Sequence, residues 1–210
     1  MANIVPAILE KNLDEVQKKL AMFEDAVDLV QIDVADGEFV PNQLISRDEL
    51  SNIRSAVNLE AHLMVIDPAD WASYLDPGIF RRVFFHIEAL PDADDLILEL
   101  KERDIEPGLA INPDTPLDDL IEIAERVDSI LFMGVNPGRQ GQEFDVSVLG
   151  KIDDFINQFP DHLIALDGGI KESNIMDAVK IGVDNICVGS AIFRSEDPLE
   201  SINNLNKIIK

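Results

Sequence analysis

The sequence predicts an α/β protein folding as a single (β/α)8 TIM barrel domain over residues 1–210. Three observations lead there. Short apolar runs alternate with amphipathic segments along the whole chain. The alternation occurs eight times, and the runs are too apolar to leave one face in water, as expected of parallel strands covered by helices. A closed barrel fits that count, with 210 residues near the short end of its range; a doubly wound open sheet is the alternative.

The first strand candidate, Ile4–Leu9, leads into a segment with Val16, Leu20 and Phe23 at helical spacing. The second, Leu29–Val34, ends among two carboxylates, Asp33 and Asp36, before the chain breaks at Gly37 and Pro41. The third, Glu60–Val65, carries His62, and the helical segment after it holds Trp71 and Tyr74, expected to pack on the barrel. The fourth, Val83–Ile87, closes on His86 with Glu88 beyond it, a pair read as supporting or structural. The fifth is Gly108–Ile111. The sixth, Ser129–Val135, is followed by Gly138-Arg139-Gln140-Gly141 and by a segment with Ile152, Phe155 and Ile156 on one face. The seventh, Leu163–Leu166, runs into Asp167-Gly168-Gly169; His162, just before it, lies at the opposite end and is expected to be exposed. The eighth, Asn185–Val188, holds the lone Cys187, read as a small core residue, and ends at Gly189-Ser190.

Composition narrows the functions. Seventeen basic against 41 acidic residues give a net charge of −24, which argues against nucleic-acid or anionic-membrane partners. Acid pairs such as Asp118-Asp119 and Asp153-Asp154 suggest a solvated acidic surface. One cysteine allows no internal disulfide and no thiolate metal motif. With no leader pattern and no apolar run of membrane-spanning length, the expected location is cytoplasmic.

On a barrel the active site lies at the C-terminal strand ends, where Asp33, His62 and Asp167 all fall. A carboxylate closing a buried strand must be satisfied there, because an unpaired buried charge is costly. Taken singly, Asp33 could be a cap or turn residue and His62 a core histidine; together they form an acid/base or metal constellation. Asp36 reads as turn chemistry before Gly37. Glycine clusters after strands six, seven and eight would let backbone N–H groups approach a phosphate, a site that needs no Lys or Arg.

These residues resemble the ribulose-phosphate 3-epimerase family over nearly the whole chain. The resemblance rests on Val5-Pro6-Ala7-Ile8-Leu9, on Asp33-Val34-Ala35-Asp36-Gly37-Glu38-Phe39-Val40-Pro41-Asn42 and, in the family's order, on further segments. These are His62-Leu63-Met64, His86-Ile87-Glu88-Ala89, Asn112-Pro113-Asp114-Thr115-Pro116, Val135-Asn136-Pro137-Gly138 and Asp167-Gly168-Gly169-Ile170. It implies a barrel enzyme that interconverts D-ribulose 5-phosphate and D-xylulose 5-phosphate through a cis-enediolate. Asp33 and Asp167 would be the two acid–base residues, because inversion removes a proton on one face and returns one on the other. A divalent ion (Zn, Fe, Mn or Mg) would be held by Asp33, His62 and Asp167, with Gln31 at the fourth position. Substrate and phosphate contacts would come from His62, Gly138, Gly141, Gly168, Gly169, Gly189 and Ser190, with Met64 and Met133 shielding the intermediate. The resemblance also implies a small-molecule ketose phosphate as partner and a homo-oligomer.

The chain departs from the family pattern at one focus. Gln31 replaces a ligand histidine, which points to weaker zinc binding, to a harder ion, or to no metal, with the amide N–H then serving the enediolate oxygen. Ala7 and Ala35 replace a serine and a methionine, and Arg139-Gln140 replace Phe-Gly. Arg139 is either a phosphate clamp or an exposed loop residue. These changes keep two alternatives in view: an epimerase for another ketose phosphate, such as a hexulose 6-phosphate, and a non-catalytic sugar-phosphate-binding barrel.

Overall fold

Each of the eight apolar runs forms a strand in the computed structural model, which describes residues 2–90, 92–138 and 141–210. The strands are β1 (Asn3–Ile8), β2 (Leu29–Ala35), β3 (Asn58–Met64), β4 (Phe80–His86), β5 (Glu106–Ile111), β6 (Ser129–Met133), β7 (Leu163–Asp167) and β8 (Asn185–Val188). Every strand pairs in parallel with its sequence neighbour, and β8 pairs back with β1. The sheet is therefore a closed barrel and the open alternative is excluded.

The crossovers carry α1 (Leu13–Leu20), α2 (Arg47–Ser51), α3 (Pro68–Ala72), α4 (Asp94–Glu102), α5 (Leu117–Ala124), α6 (Ser147–Gln158) and α7 (Ile175–Lys180). Two helices, α8 (Ser190–Phe193) and α9 (Pro198–Ile208), follow β8. Local signals set their starts. Asn12 caps α1 by accepting the Glu15 N–H, with Asp14 and Glu15 in its first turn and Lys18 and Lys19 in its last, matching the helix dipole. Ser46 and Glu49 form a reciprocal capping box on α2. Among the described residues, no helix is long and apolar enough to cross a membrane.

The strands' two faces bury two different cores. Outward residues such as Ile32, Leu63, Phe85, Phe132 and Leu166 pack with Leu20, Trp71, Leu100 and Phe155 from the helices. Inward residues Val5, Ala7, Phe84, Ala110, Leu131, Met133, Ala165 and Cys187 fill the axis. The Phe84 ring occupies the place of a side chain at Gly108, where a Cβ would lie 2.6 Å from it; only glycine leaves that room.

β3, β4 and β5 begin two or three residues earlier than the apolar runs suggest, and the residues gained on β4 and β5 include Arg82 and Glu106, whose charges are met across the sheet. Glu60, Arg82 and Glu106 sit in register on β3, β4 and β5. Inside the barrel, Arg82 donates to Glu60 (3.1 Å) and to both oxygens of Glu106 (2.8 and 2.9 Å). Charged residues paired across strands extend a sheet that hydropathy alone cuts short. His162 also departs from expectation. It is half-buried rather than exposed, donating from Nε2 to the Ala124 carbonyl (3.1 Å) and set edge-on to Phe155 and Phe159. Trp71 is buried and Tyr74 partly buried against the core, as expected.

Candidate active site

Strand periodicity places the site. Inward positions alternate along each strand, so Gln31 and Asp33 on β2, Glu60, His62 and Met64 on β3, and Asp167 on β7 all point to the axis. Register puts Asp33 opposite His62 and Met133 opposite Asp167. The three ionisable strand ends expected to converge do so.

Gln31 joins the two carboxylates. It is fully buried, and its Nε2 donates to Oδ1 of Asp33 (2.8 Å) and to Oδ2 of Asp167 (2.7 Å). Its Oε1 accepts the Cys187 thiol (3.1 Å). Carboxylates offer only acceptors, so the amide must turn its NH2 towards them. Burial, followed by the charge of Glu60, raises the Cys187 pKa well above its ordinary value and keeps it a donor. Cys187 is thus a core residue that also orients the amide.

His62 closes the group. Its Nδ1 is 3.1 Å from Oδ1 of Asp33 and 3.7 Å from Oδ2 of Asp167. Burial disfavours its imidazolium, but the hydrogen bond and charge of Asp33, with the charges of Asp167 and Glu60, outweigh that and raise its pKa. Asp167 is also shifted up, by burial first and by the charge of Asp33 second. Behind His62 a chain runs outward. Nε2 of His62 meets Nε2 of His86 (2.9 Å), Nδ1 of His86 meets Oε2 of Glu88 (3.1 Å), and Oε1 of Glu88 accepts the Asn112 N–H and the Thr115 hydroxyl. Burial lowers the His86 pKa to about 4. For Glu88 burial acts upward, yet the hydrogen bonds from His86, Thr115 and Asn112 prevail and hold its pKa at about 2.

Asp33, His62 and Asp167 each offer one ligand atom, all within 4.8 Å of one another. Metal–ligand bonds of about 2 Å set adjacent donors about 3 Å apart, so this donor set fits a divalent cation. Gln31 faces the same point with N–H rather than oxygen.

The mouth above is lined by Met64 and Met133 and by Gly138, Gly141, Gly168, Gly169, Gly189 and Ser190, all expected there. Part of this glycine pattern answers to packing. Gly168 has φ +105°, and a Cβ there would lie 2.5 Å from Cγ2 of Val135, so the turn after β7 requires glycine whatever it binds. Ala7 lines the mouth; Ala35 packs with Val40, Leu44 and Met64, the last of which also lines it. Asp36 is turn chemistry as read, accepting the N–H groups of Glu38, Phe39 and Ile66. Arg139 lies outside the described residues. A cation the sequence reading missed is Arg194, whose Nη1 would be 2.8 Å from a Cβ at Gly141. The available signal was its position one turn after Ser190, whose carbonyl accepts the Arg194 N–H.

A sequence profile described as the ribulose-phosphate 3 epimerase family matches residues 3–193. The chain belongs to that family. It is 29% identical to the ribulose-phosphate 3-epimerase of Schizosaccharomyces pombe over 216 aligned residues, covering 100% of this chain and 95% of that protein. It is 31% identical to the cytoplasmic isoform of Oryza sativa subsp. japonica with the same coverage. Among solved structures, 3-hexulose-6-phosphate synthase from Salmonella typhimurium superposes with a TM-score of 0.71 at 19% identity, covering 98% of this chain and 97% of that one, a likeness of fold. The ribulose-phosphate 3-epimerase family is one of isomerases, epimerases acting on carbohydrates.

Proposed function

We propose that the protein interconverts D-ribulose 5-phosphate and D-xylulose 5-phosphate, with Asp33 and Asp167 exchanging a proton at carbon 3 through a cis-enediolate. One observation carries this reading: two carboxylates from β2 and β7 share a single amide donor, beside His62, at the C-terminal end of a barrel. Inversion needs a base on one face of the carbon and an acid on the other. Burial and the neighbouring charge favour one proton held on Asp167, the inventory such an exchange requires. With Asp167 as acid, Asp33 is the base; the reverse direction swaps the roles.

The other residues bind and exclude water. Met64 and Met133 cover the enediolate with polarizable, apolar surface. The N–H groups of the Gly168-Gly169 and Gly189-Ser190 turns serve the phosphate. Arg194, beside Gly141, offsets locally a net charge of −24 that opposes an anion. A divalent cation held by Asp33, His62 and Asp167 would supply electrostatic stabilisation of the enediolate oxygen. Because Gln31 presents N–H, Asp33, His62 and Asp167 would be the three protein donors to Zn2+, Fe2+, Mn2+ or Mg2+, and would hold it more weakly than four. Both Gln31 N–H groups are engaged by carboxylates, so service to an oxyanion would exchange one of those bonds.

The test is proton NMR of D-ribulose 5-phosphate in D2O with the purified protein. Deuterium entering at carbon 3 together with D-xylulose 5-phosphate is the expected result. A persistent carbon 3 proton with divalent metal supplied overturns the reading. Ala7, small and at the mouth, favours a longer ketose phosphate as the second reading, which exchange on a hexulose 6-phosphate alone would establish. Thermal stabilisation by the sugar phosphate with no exchange would mean a binding barrel.

A further inference from the structure

The hydrogen-bond chain behind His62 has a direction, set at its far end. Glu88 is anchored on the connection after β5: its Oε1 accepts the Asn112 N–H (2.9 Å) and the Thr115 hydroxyl, and its Oε2 faces Nδ1 of His86 at 3.1 Å. An ionised carboxylate has only acceptors, so Nδ1 of His86 carries a proton. The His86 ring is fully buried, with the Phe39 ring 4.9 Å away, surroundings that suit a neutral imidazole. Its Nε2 then holds a lone pair. The atom 2.9 Å from that lone pair, Nε2 of His62, must be the donor. Nδ1 of His62 faces Asp33 and Asp167, and at 3.1 Å from Oδ1 of Asp33 it is a donor too, carrying the proton that a divalent cation would displace.

We propose that Glu88, acting through His86, is the positioning residue that keeps Nε2 of His62 protonated, so that Nδ1 is the nitrogen that gives up its proton and ligates a divalent cation beside Asp33 and Asp167. This rests on the reading of His62 as a ligand. Run the other way, the chain would put a proton on Nε2 of His86 and strip it from Nε2 of His62, making the Nδ1 proton that ring's only one, which a cation could not displace without forming an imidazolate. Hydrogen bonds from carboxylates to the far nitrogen of ligating histidines are a general means of orienting such rings. Here a second imidazole carries the effect across one more link.

The chain has three histidines, so long-range 1H–15N spectra can assign each ring. Zn2+ alone is the probe, with affinity measured by calorimetry. Wild-type protein is expected to show the His86 proton on Nδ1, and an N–H on Nε2 of His62 with and without Zn2+. In Glu88→Gln the amide can present either NH2 or carbonyl to His86. The fixed pattern should be lost, with Zn2+ affinity falling about 10–100-fold. Thr115→Val keeps the carboxylate and should keep the tautomers. A proton on Nε2 of His86 in the wild type overturns the proposal, as does a Glu88→Gln protein with unchanged tautomers and Zn2+ affinity. Should Glu88→Gln not fold, the wild-type spectra decide alone. None of this needs a sugar phosphate: correct tautomers without exchange at carbon 3 would overturn the assigned reaction and keep the relay, and reversed tautomers with exchange would do the opposite.

Discussion

Two buried carboxylates that share one donor repel each other, a cost that the proposed two-base exchange would require. Asp33→Asn and Asp167→Asn each leave a side chain of the same shape with less charge to bury. Exchange at carbon 3 should fall by at least about 10²–10⁴-fold in each, while thermal unfolding shows stability equal to or above wild type. Wild-type rates in either variant would remove the acid–base assignment. Gln31→His restores an imidazole at the fourth position and should tighten Zn2+ binding by about tenfold or more, read by calorimetry. Asp33, His62 and Asp167 were legible in the sequence because each ends a separate apolar run. The clamp formed by Gln31, the thiol of Cys187 that orients it and the direction of the His62–His86–Glu88 chain were not. Alternation along a strand gives the face a residue occupies; it does not give the rotamer that brings two strands' side chains to 2.7 Å.

At the scale of elements, β3, β4 and β5 show where patterning stops working. Their first residues include Glu60, Arg82 and Glu106, which form one ion-paired network inside the barrel. Burial nevertheless holds the Glu60 pKa up at about 7 despite Arg82. Hydropathy reads such residues as strand ends, because only the closed sheet reveals that they meet. The connection after β5 is tied to β4 by Glu88, with an acid-side signature. Its folded pKa of about 2 lies below the ordinary 4.5. The carboxylate therefore contributes fully above about pH 4.5, and the contribution is lost as pH falls through about 2. Urea unfolding of wild type and Glu88→Gln should show a stability gap that is constant from pH 5 to 7 and closes towards pH 2. A gap that widens in acid would contradict this placement of the charge.

For the molecule as a whole, eight repeats of one pattern made the barrel legible, since no single boundary error disturbs the count. Charge operates at this scale too. A net charge of −24 with exposed acid pairs such as Asp118-Asp119 and Asp153-Asp154 strains the folded state by self-repulsion, which salt screens over a Debye length of about 10 Å at 0.1 M and about 3 Å at 1 M. Raising KCl from 0.1 to 1 M should raise Tm by several degrees, at about 2–4 °C per kcal/mol for a chain of this size. A Tm indifferent to salt would mean that the surface charges are already compensated among themselves.

An amide nitrogen holds its protons too tightly to pass them on, so Gln31 joins Asp33 and Asp167 without itself carrying a proton between them. Each inversion by the two-carboxylate route moves the shared proton from one side to the other. On that route the protein that releases product would be primed for the reverse reaction, and a proton would have to return, from solvent or by way of His62, before it could repeat the forward one. For as long as that return takes, it would keep a memory of the direction in which it last ran.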